Sequence, residues 1–178
     1  MNRVILNSDH FDSVLTSALV ECRHRLFIAT ADLKHVHLPL ASSRGRGRAE
    51  SILDSFERLS GRGVEVRVLH SGVPSGPFLE RMKEGLPETL TMRRCPRTHL
   101  KAVLVDGSWM YLGSANLTGA GLGAKSPRRR NFEAGILTDD EAAMDAVADM
   151  IDEIWSGRRC EDCDRKEHCP VPLEEPRL

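Results

Sequence analysis

The sequence has no long hydrophobic run. Apolar stretches such as Leu26-Phe27-Ile28-Ala29 fall far short of the ~20 residues that cross a bilayer. No amphipathic, aromatic-tipped surface helix offers a membrane dock either. Net charge is also nearly absent: 25 Lys and Arg face 26 Asp and Glu, leaving −1. No global basic field draws the chain to nucleic acid, so any such attraction has to be local. Trp and Tyr are scarce, at 2 and 1, which leaves few platforms for base stacking and favours backbone contacts over sequence readout. There is no internal repeat. Polar Asn7-Ser8-Asp9 follows Met1–Leu6 at once, so no signal-peptide core is read there. The expected compartment is the cytoplasm, where thiols stay reduced. The 5 cysteines then point to metal binding or inert burial before disulfides.

What is present is an alternation of helical and extended patterns over 178 residues, enough for one domain with a real core. Residues 9 to 23 read as a helix capped by Ser8 or Asp9, with Phe11, Leu15, Ala18, Leu19 and Cys22 on one face. Leu26–Ala31 reads as a buried strand. The segment 42 to 48, with Arg44, Arg46 and Arg48, reads as a basic loop. A helix through Ile52, Leu53, Phe56 and Leu59 ends at Gly61 and Gly63, before a Val64–Leu69 strand. A short helix with Phe78, Leu79 and Met82 follows, then a Thr89–Arg94 strand. Gly119–Pro127 reads as a mobile loop, and the last helix runs from about Thr138-Asp139 through Met144, Val147, Ile151, Ile154 and Trp155. This order predicts an α/β fold: a single-domain sandwich with a mixed central sheet flanked by helices, over residues 1–156, and a Cys-rich tail over 157–178.

The most informative run is residues 99 to 116, HLKAVLVDGSWMYLGSAN. His99, Lys101 and Asp106 stand as H-x-K-x4-D, followed by Gly113, Ser114 and Asn116 as G-S-x-x-N. Alternate residues of an extended chain share a face, so His99 and Lys101 point the same way if this stretch is extended. The apolar Ala102–Val105 and the Asp106-Gly107 turn signal say that it is. An imidazole beside a fixed ammonium, with an amide nearby, suits a phosphate: the ammonium and amide hold oxygens while the imidazole works on phosphorus.

This run resembles the phospholipase D superfamily, whose signature it matches position by position. Arg62–Leu69 is similar to that family's upstream strand, and Asn131-Phe132-Glu133 to its downstream acidic position. The resemblance covers roughly residues 10 to 156 and implies a phosphodiesterase. One signature histidine attacks phosphorus to form a phosphohistidine, and a second protonates the leaving oxygen. With one signature only, the resemblance implies a homodimer pairing two copies of His99 across a twofold axis. Lys101 and Asn116 would bind phosphate oxygens, and Ser114 would donate to the phosphate or to backbone. Glu133 would hydrogen-bond and orient the histidine. Asp106 belongs to the signature, but at the far end of the strand it is expected to tie down a turn. No catalytic metal is required by this scheme.

Residues 158 to 170 read RRCEDCDRKEHCP. Cys160, Cys163 and Cys169 lie among charged residues, which is metal-ligand spacing and not packing. The fourth ligand is expected to be Cys95, in the polar context Arg93-Arg94-Cys95-Pro96. Cys22 is assigned to the core, and His168 abuts Cys169 too closely. The set is similar to the iron–sulfur motif of certain repair and CRISPR-associated nucleases. A 4Fe-4S cluster is the reading taken, with zinc (Zn2+) as the alternative.

Small single-signature bacterial members of the superfamily are mostly nucleases, which by resemblance points to nucleic acid. Arg44 and Arg46 with Arg48, and Arg128, Arg129 and Arg130, are candidate phosphate contacts, and Arg93, Arg94 and Arg97 precede the signature. His35, His37 and His70 are unassigned, with a surface place expected for His70. The alternatives are a phospholipid hydrolase or transferase and a redox-responsive nucleic-acid-binding module. A membrane partner is not expected.

Overall fold

The computed structural model describes residues 2–34, 36–38, 50–165 and 169. The Arg44, Arg46 and Arg48 loop, His35 and His168 lie outside the described residues. The chain opens with a strand the sequence reading did not anticipate, β1 (Asn2–Leu6). The first helical segment begins as a π-helix, Phe11–Thr16, and continues as α1 (Ser17–Glu21). Neither Ser8 nor Asp9 caps it through a side chain: His10 stands at the N-cap with its Nδ1 2.8 Å from Asn7 O and caps nothing, and the turn is closed by backbone bonds to Asn7 and Ser8. The expected apolar face is kept, with Phe11, Leu15, Ala18, Leu19 and Cys22 all buried.

There follow β2 (Arg25–Thr30), β3 (His37–Leu38), β4 (Glu50–Ser51), α2 (Ile52–Ser60), β5 (Glu65–His70), α3 (Gly76–Lys83) and β6 (Leu90–Arg94). The signature supplies β7 (Ala102–Val105) and β8 (Trp109–Gly113), and β9 (Ala134–Thr138) and α4 (Glu141–Trp155) complete the domain. A seven-stranded sheet runs in the order β1-β9-β8-β7-β2-β5-β6. β2, β5 and β6 are mutually parallel and the remaining pairs antiparallel. The sheet is mixed, as expected. Among the described residues no helix is long and apolar enough to cross a membrane.

Local chemistry fixes the helix starts. Ser51 and Asp54 form a reciprocal capping box at α2, with Asp54 N donating to Ser51 Oγ at 3.1 Å and Ser51 N to Asp54 Oδ2 at 2.9 Å. Asp140 caps α4 by accepting from Ala143 N at 2.8 Å. Between β7 and β8 the chain turns through Asp106 and Gly107, both at positive φ (54° and 67°), the twist that tight hairpins favour.

The strands at the sheet centre are buried on both faces. Leu26 and Ile28 of β2, Val66 and Val68 of β5 and Val103 and Val105 of β7 pack with α2 residues Ile52, Leu53, Phe56 and Leu59. The opposite face, with Phe27, Ala29, Leu69 and Ala102, packs with Ile151 and Trp155 of α4. The Trp155 ring meets Phe27 edge-on, with centroids 5.2 Å apart, and the Arg93 guanidinium lies 4.9 Å above it. Arg93 also donates to the Trp155 carbonyl, pinning the end of α4 to β6. The α4 face continues from Ala102 through its cross-strand partners Leu112, Ile136 and Val4. There it is bare, and those side chains are 40%, 48% and 66% exposed.

Candidate active site

The parallel strands β2, β5 and β6 end at one edge of the sheet, the place where open α/β sheets present ligand-binding groups. The antiparallel register of β2 with β7 pairs Ala29 with Ala102, so the residues just before β7 lie level with the end of β2. His99 and Lys101 occupy that stretch. Gly113 N donates to Lys101 O at 3.1 Å, extending the β7–β8 ladder one step and holding the segment extended. The two side chains share a face: Lys101 Nζ lies 3.1 Å and 3.2 Å from the ring nitrogens of His99 and donates to the His99 carbonyl at 2.8 Å. His99 is exposed and Lys101 is buried. Burial pulls the Lys101 pKa below its usual value, opposed by the charge of Glu133. A partly dehydrated ammonium attracts phosphate more strongly than one in bulk water.

Glu133 is placed by the start of β9. Its backbone N–H donates to Asn7 Oδ1 at 3.2 Å, and Asn7 N donates back to Glu133 O at 2.9 Å. Among the described residues its carboxylate accepts from the Ser114 hydroxyl and from Asn131 Nδ2 (2.9 Å), not from His99. The expected carboxylate–histidine bond is thus replaced by carboxylate–serine, with Glu133 acting on the site through the field felt at Lys101. The Ser114 hydroxyl has its proton committed to Glu133, and its Oγ also accepts from Ala134 N at 3.1 Å.

The glycine of the G-S-x-x-N segment has a steric reason: a Cβ on Gly113 or on Gly135 would collide with the Tyr111 side chain. Tyr111 Oη in turn accepts from Ala115 N at 3.2 Å and shapes the turn. Burial pushes its phenol up to about 12, too high for an acid or base near neutral pH. Asn116 follows that turn. Its Oδ1 accepts from Ala31 N and Asp32 N, both at 3.1 Å, which anchors the amide at the end of β2, level with His99 and Lys101. With the oxygen committed, Nδ2 is the group left to donate to a phosphate.

The structure separates Asp106 from this constellation. It sits at the opposite end of β7, where its carboxylate accepts from Arg23 N (2.7 Å), His24 N (2.8 Å), Arg25 N (2.7 Å) and Cys22 Sγ (3.4 Å). It ties the hairpin to the start of β2 and touches no residue of the site.

The basic candidates divide. Arg128 and Arg129 are exposed on a short 3-10 turn, Pro127–Arg129, whereas Arg130 Nε donates to Lys125 O at 2.7 Å. The loop before them is anchored by buried Leu122, whose N–H donates to Thr118 O at 2.9 Å. Arg93 is spent on Trp155, and Arg94 Nε donates to Ser71 O at 3.0 Å. Arg97 is exposed. It lines an open cavity of about 340 Å³ with His99, Thr98, Pro96, Ser71 and Arg165. His70 is fully buried, contrary to the surface place expected, and its Nδ1 lies 2.8 Å from Gly72 O. Asn7 and Tyr111 carry no sequence signal for the site, and Asn131 and Phe132 carry none beyond their place beside Glu133. Phe132 is 97% exposed.

The family described as "Cardiolipin synthase, PLD-like domain" matches residues 15–155. The chain belongs to this phospholipase D-like family. No curated protein matches it significantly in sequence. Among solved structures the phospholipase D-like chain is similar to NucT from Helicobacter pylori, with TM-score 0.63 and 15% identity, covering 86% of this chain and 94% of that one. It is similar to the phospholipase D family member Nuc from Salmonella typhimurium, with TM-score 0.61 and 15% identity, covering 88% and 95%. Phosphatidylserine synthase from Haemophilus influenzae matches with TM-score 0.56 and 16% identity, covering 86% of this chain but 38% of that one. At these identities the likeness is one of fold.

Proposed function

We propose that the chain is a metal-independent phosphodiesterase that hydrolyses nucleic acid as a homodimer. The observation that carries this reading is the shared face of His99 and Lys101, with the Asn116 amide level with them at the end of β2. Lys101 and Asn116 hold non-bridging oxygens. The neutral His99 of one protomer attacks phosphorus, and the bond to the leaving oxygen breaks as a protonated second His99 gives it a proton. Water then attacks the phosphohistidine, losing its proton to that second, now neutral imidazole, and the P–N bond breaks. Two equivalent imidazoles fill opposite roles when one is charged and one neutral.

Each protomer carries one signature histidine, so this scheme requires two copies. The bare stripe of Val4, Leu112 and Ile136 is an apolar surface open to a second copy, and Leu112 adjoins Gly113, which bonds Lys101. Burying such a stripe against a second copy needs no further element. Nucleic acid is favoured by exposed Arg128 and Arg129 and by exposed Phe132 beside Glu133, a phosphate clamp next to a stacking surface. Small single-signature members are mostly nucleases by resemblance, and the fold is similar over nearly all of NucT and Nuc. A phospholipid substrate is the second reading, suggested by that synthase's similar fold.

The test incubates wild type and His99→Ala with labelled single- and double-stranded DNA, RNA and anionic vesicles, all in chelator. The proposal expects nucleic-acid cleavage by wild type alone, with a fall on the order of 10³-fold or more in the variant. Headgroup release without nucleic-acid cleavage selects the phospholipid reading. DNA binding indifferent to His99→Ala, without turnover, selects a binding module. Sedimentation should show a dimer that Ile136→Glu dissociates.

A further inference from the structure

Four cysteines from two distant parts of the chain line one cavity of about 270 Å³: Cys95, Cys160, Cys163 and Cys169. The remaining cysteine, Cys22, is buried in the main core, and none of the five is disulfide-bonded. The convergence has a traceable cause. Arg93 clamps the Trp155 ring and carbonyl, so the end of α4 is fixed over β6 at Arg93, two residues before Cys95. Gly157 then takes positive φ (81°) and reverses the chain, and Cys160 N donates to Gly157 O at 2.9 Å. The reversal lays Cys160 and Cys163 over the Cys95–Arg97 turn, where Arg97 donates to Cys163 Sγ at 3.6 Å.

We infer that these four cysteines hold a 4Fe-4S cluster, which fastens the tail to the turn leading into His99. The donor set is all thiol, the chemistry of zinc and iron–sulfur sites. A cubane binds each thiolate to a different iron, and four thiols around a cavity of about 270 Å³ leave room for one. The surroundings also suit a cluster. Met150 and Ile154 give the cavity an apolar wall, and Arg97, Arg159 and Arg165 line it with positive charge, which offsets the net negative charge of a four-thiolate cluster. On loading, the four thiols bind as thiolates and release their protons.

Pro96, Arg97 and Arg165 line both this cavity and the one containing His99. Cys95 N donates to His70 O at 2.8 Å and Thr98 N to Cys95 O at 2.9 Å. A ligand bond at Cys95 therefore restrains the same turn that presents His99 and places Arg97 between the two cavities. This consequence for hydrolysis rests on the function proposed above; occupancy of the site does not.

The experiment purifies the full chain without oxygen, then strips it with chelator and oxidant and rebuilds it with ferric iron, sulfide and excess dithiol, which reduces part of the iron. Iron and acid-labile sulfide are counted per chain and the visible and paramagnetic spectra recorded. Circular dichroism monitors the fold throughout, so that a misfolded variant is recognised. The inference expects four iron and four sulfide per folded chain, lost in Cys95→Ser and Cys160→Ser. It also expects amide exchange at residues 97–99 to slow at least about tenfold on rebuilding. A folded wild-type chain that takes up no iron, or that carries stoichiometric zinc without sulfide, overturns it. Full loading with unchanged exchange overturns the fastening. Neither readout needs turnover: a loaded, fastened chain that cleaves no phosphodiester would refute the hydrolytic reading and leave the cluster standing.

Discussion

Replacing Asp106 tests whether a signature residue is reactant or scaffold. Its carboxylate accepts three backbone N–H groups and a thiol that between them fix the start of β2. Bonds to a charged acceptor contribute ~1.5–3 kcal/mol each when buried, but the three amides lie at a solvent-exposed turn and can be rehydrated. A net loss of about 1–2 kcal/mol is therefore expected from the contacts in Asp106→Ala. Alanine at φ 54° adds ~1–2 kcal/mol, because Cβ crowds the carbonyl in the left-handed region. The sum, about 2–4 kcal/mol, corresponds at ~2–4 °C per kcal/mol to a fall in Tm of roughly 5–15 °C. Asp106→Asn tolerates the turn and keeps one acceptor, so about 1 kcal/mol is expected. The pH dependence has a definite sign. Burial works to raise the Asp106 pKa, but the N–H groups of Arg25, Arg23 and His24 and the Cys22 thiol outweigh it, and the net shift is downward. A depressed pKa stabilises the fold above the unfolded value of ~3.9 and loses that contribution as pH falls through the folded value. The gap between wild type and Asp106→Asn should be constant above about pH 5 and close in acid. Thermal melts from pH 3 to 7, with activity alongside, decide it. An Asp106→Ala variant melting within about 1 °C of wild type, or an Asn variant of full stability that has lost hydrolysis, would refute the scaffold assignment.

Three further outcomes are expected. Lys101→Met should lower kcat by about 10²–10³-fold through loss of a preorganised cation without lowering Tm, because it removes a charge that is costly to bury; a drop in Tm matching the drop in activity would make Lys101 merely structural. Burial, then the charge and hydrogen bond of Asp106, push the Cys22 thiol up to about 12, so iodoacetamide at pH 8 should leave it unmodified in the folded chain and alkylate it in urea, as mass spectrometry can check. Trp155→Ala should cost about 3–5 kcal/mol by opening a cavity against Phe27; because it also releases Arg93, it should speed amide exchange in the 157–163 turn, and unchanged exchange there would break the link drawn between the Arg93–Trp155 clamp and the cysteine cavity.

The sequence by itself determined the architecture class and the shared face of His99 and Lys101. His99 and Lys101 are two residues apart in a segment bounded by an apolar run and a turn signal, and a period of two puts them on one face whatever surrounds them. The helix faces through Phe11–Cys22 and Ile52–Leu59 were legible for the same reason, since periodicity records which side meets a core. β1 and β8 were not, because neither alternates: β1 buries only Ile5, and β8 buries the neighbours Met110 and Tyr111, on opposite faces. The partners of Glu133 were equally hidden. Asn7 and Ser114 reach it from 126 and 19 residues away, and no local rule couples them to it. The cysteines divide the same way. Spacing marked Cys160, Cys163 and Cys169 as a group and context suggested Cys95. Only the tertiary structure brought the four to one cavity, because the Arg93–Trp155 clamp and the reversal at Gly157 are contacts between segments that lie far apart along the chain.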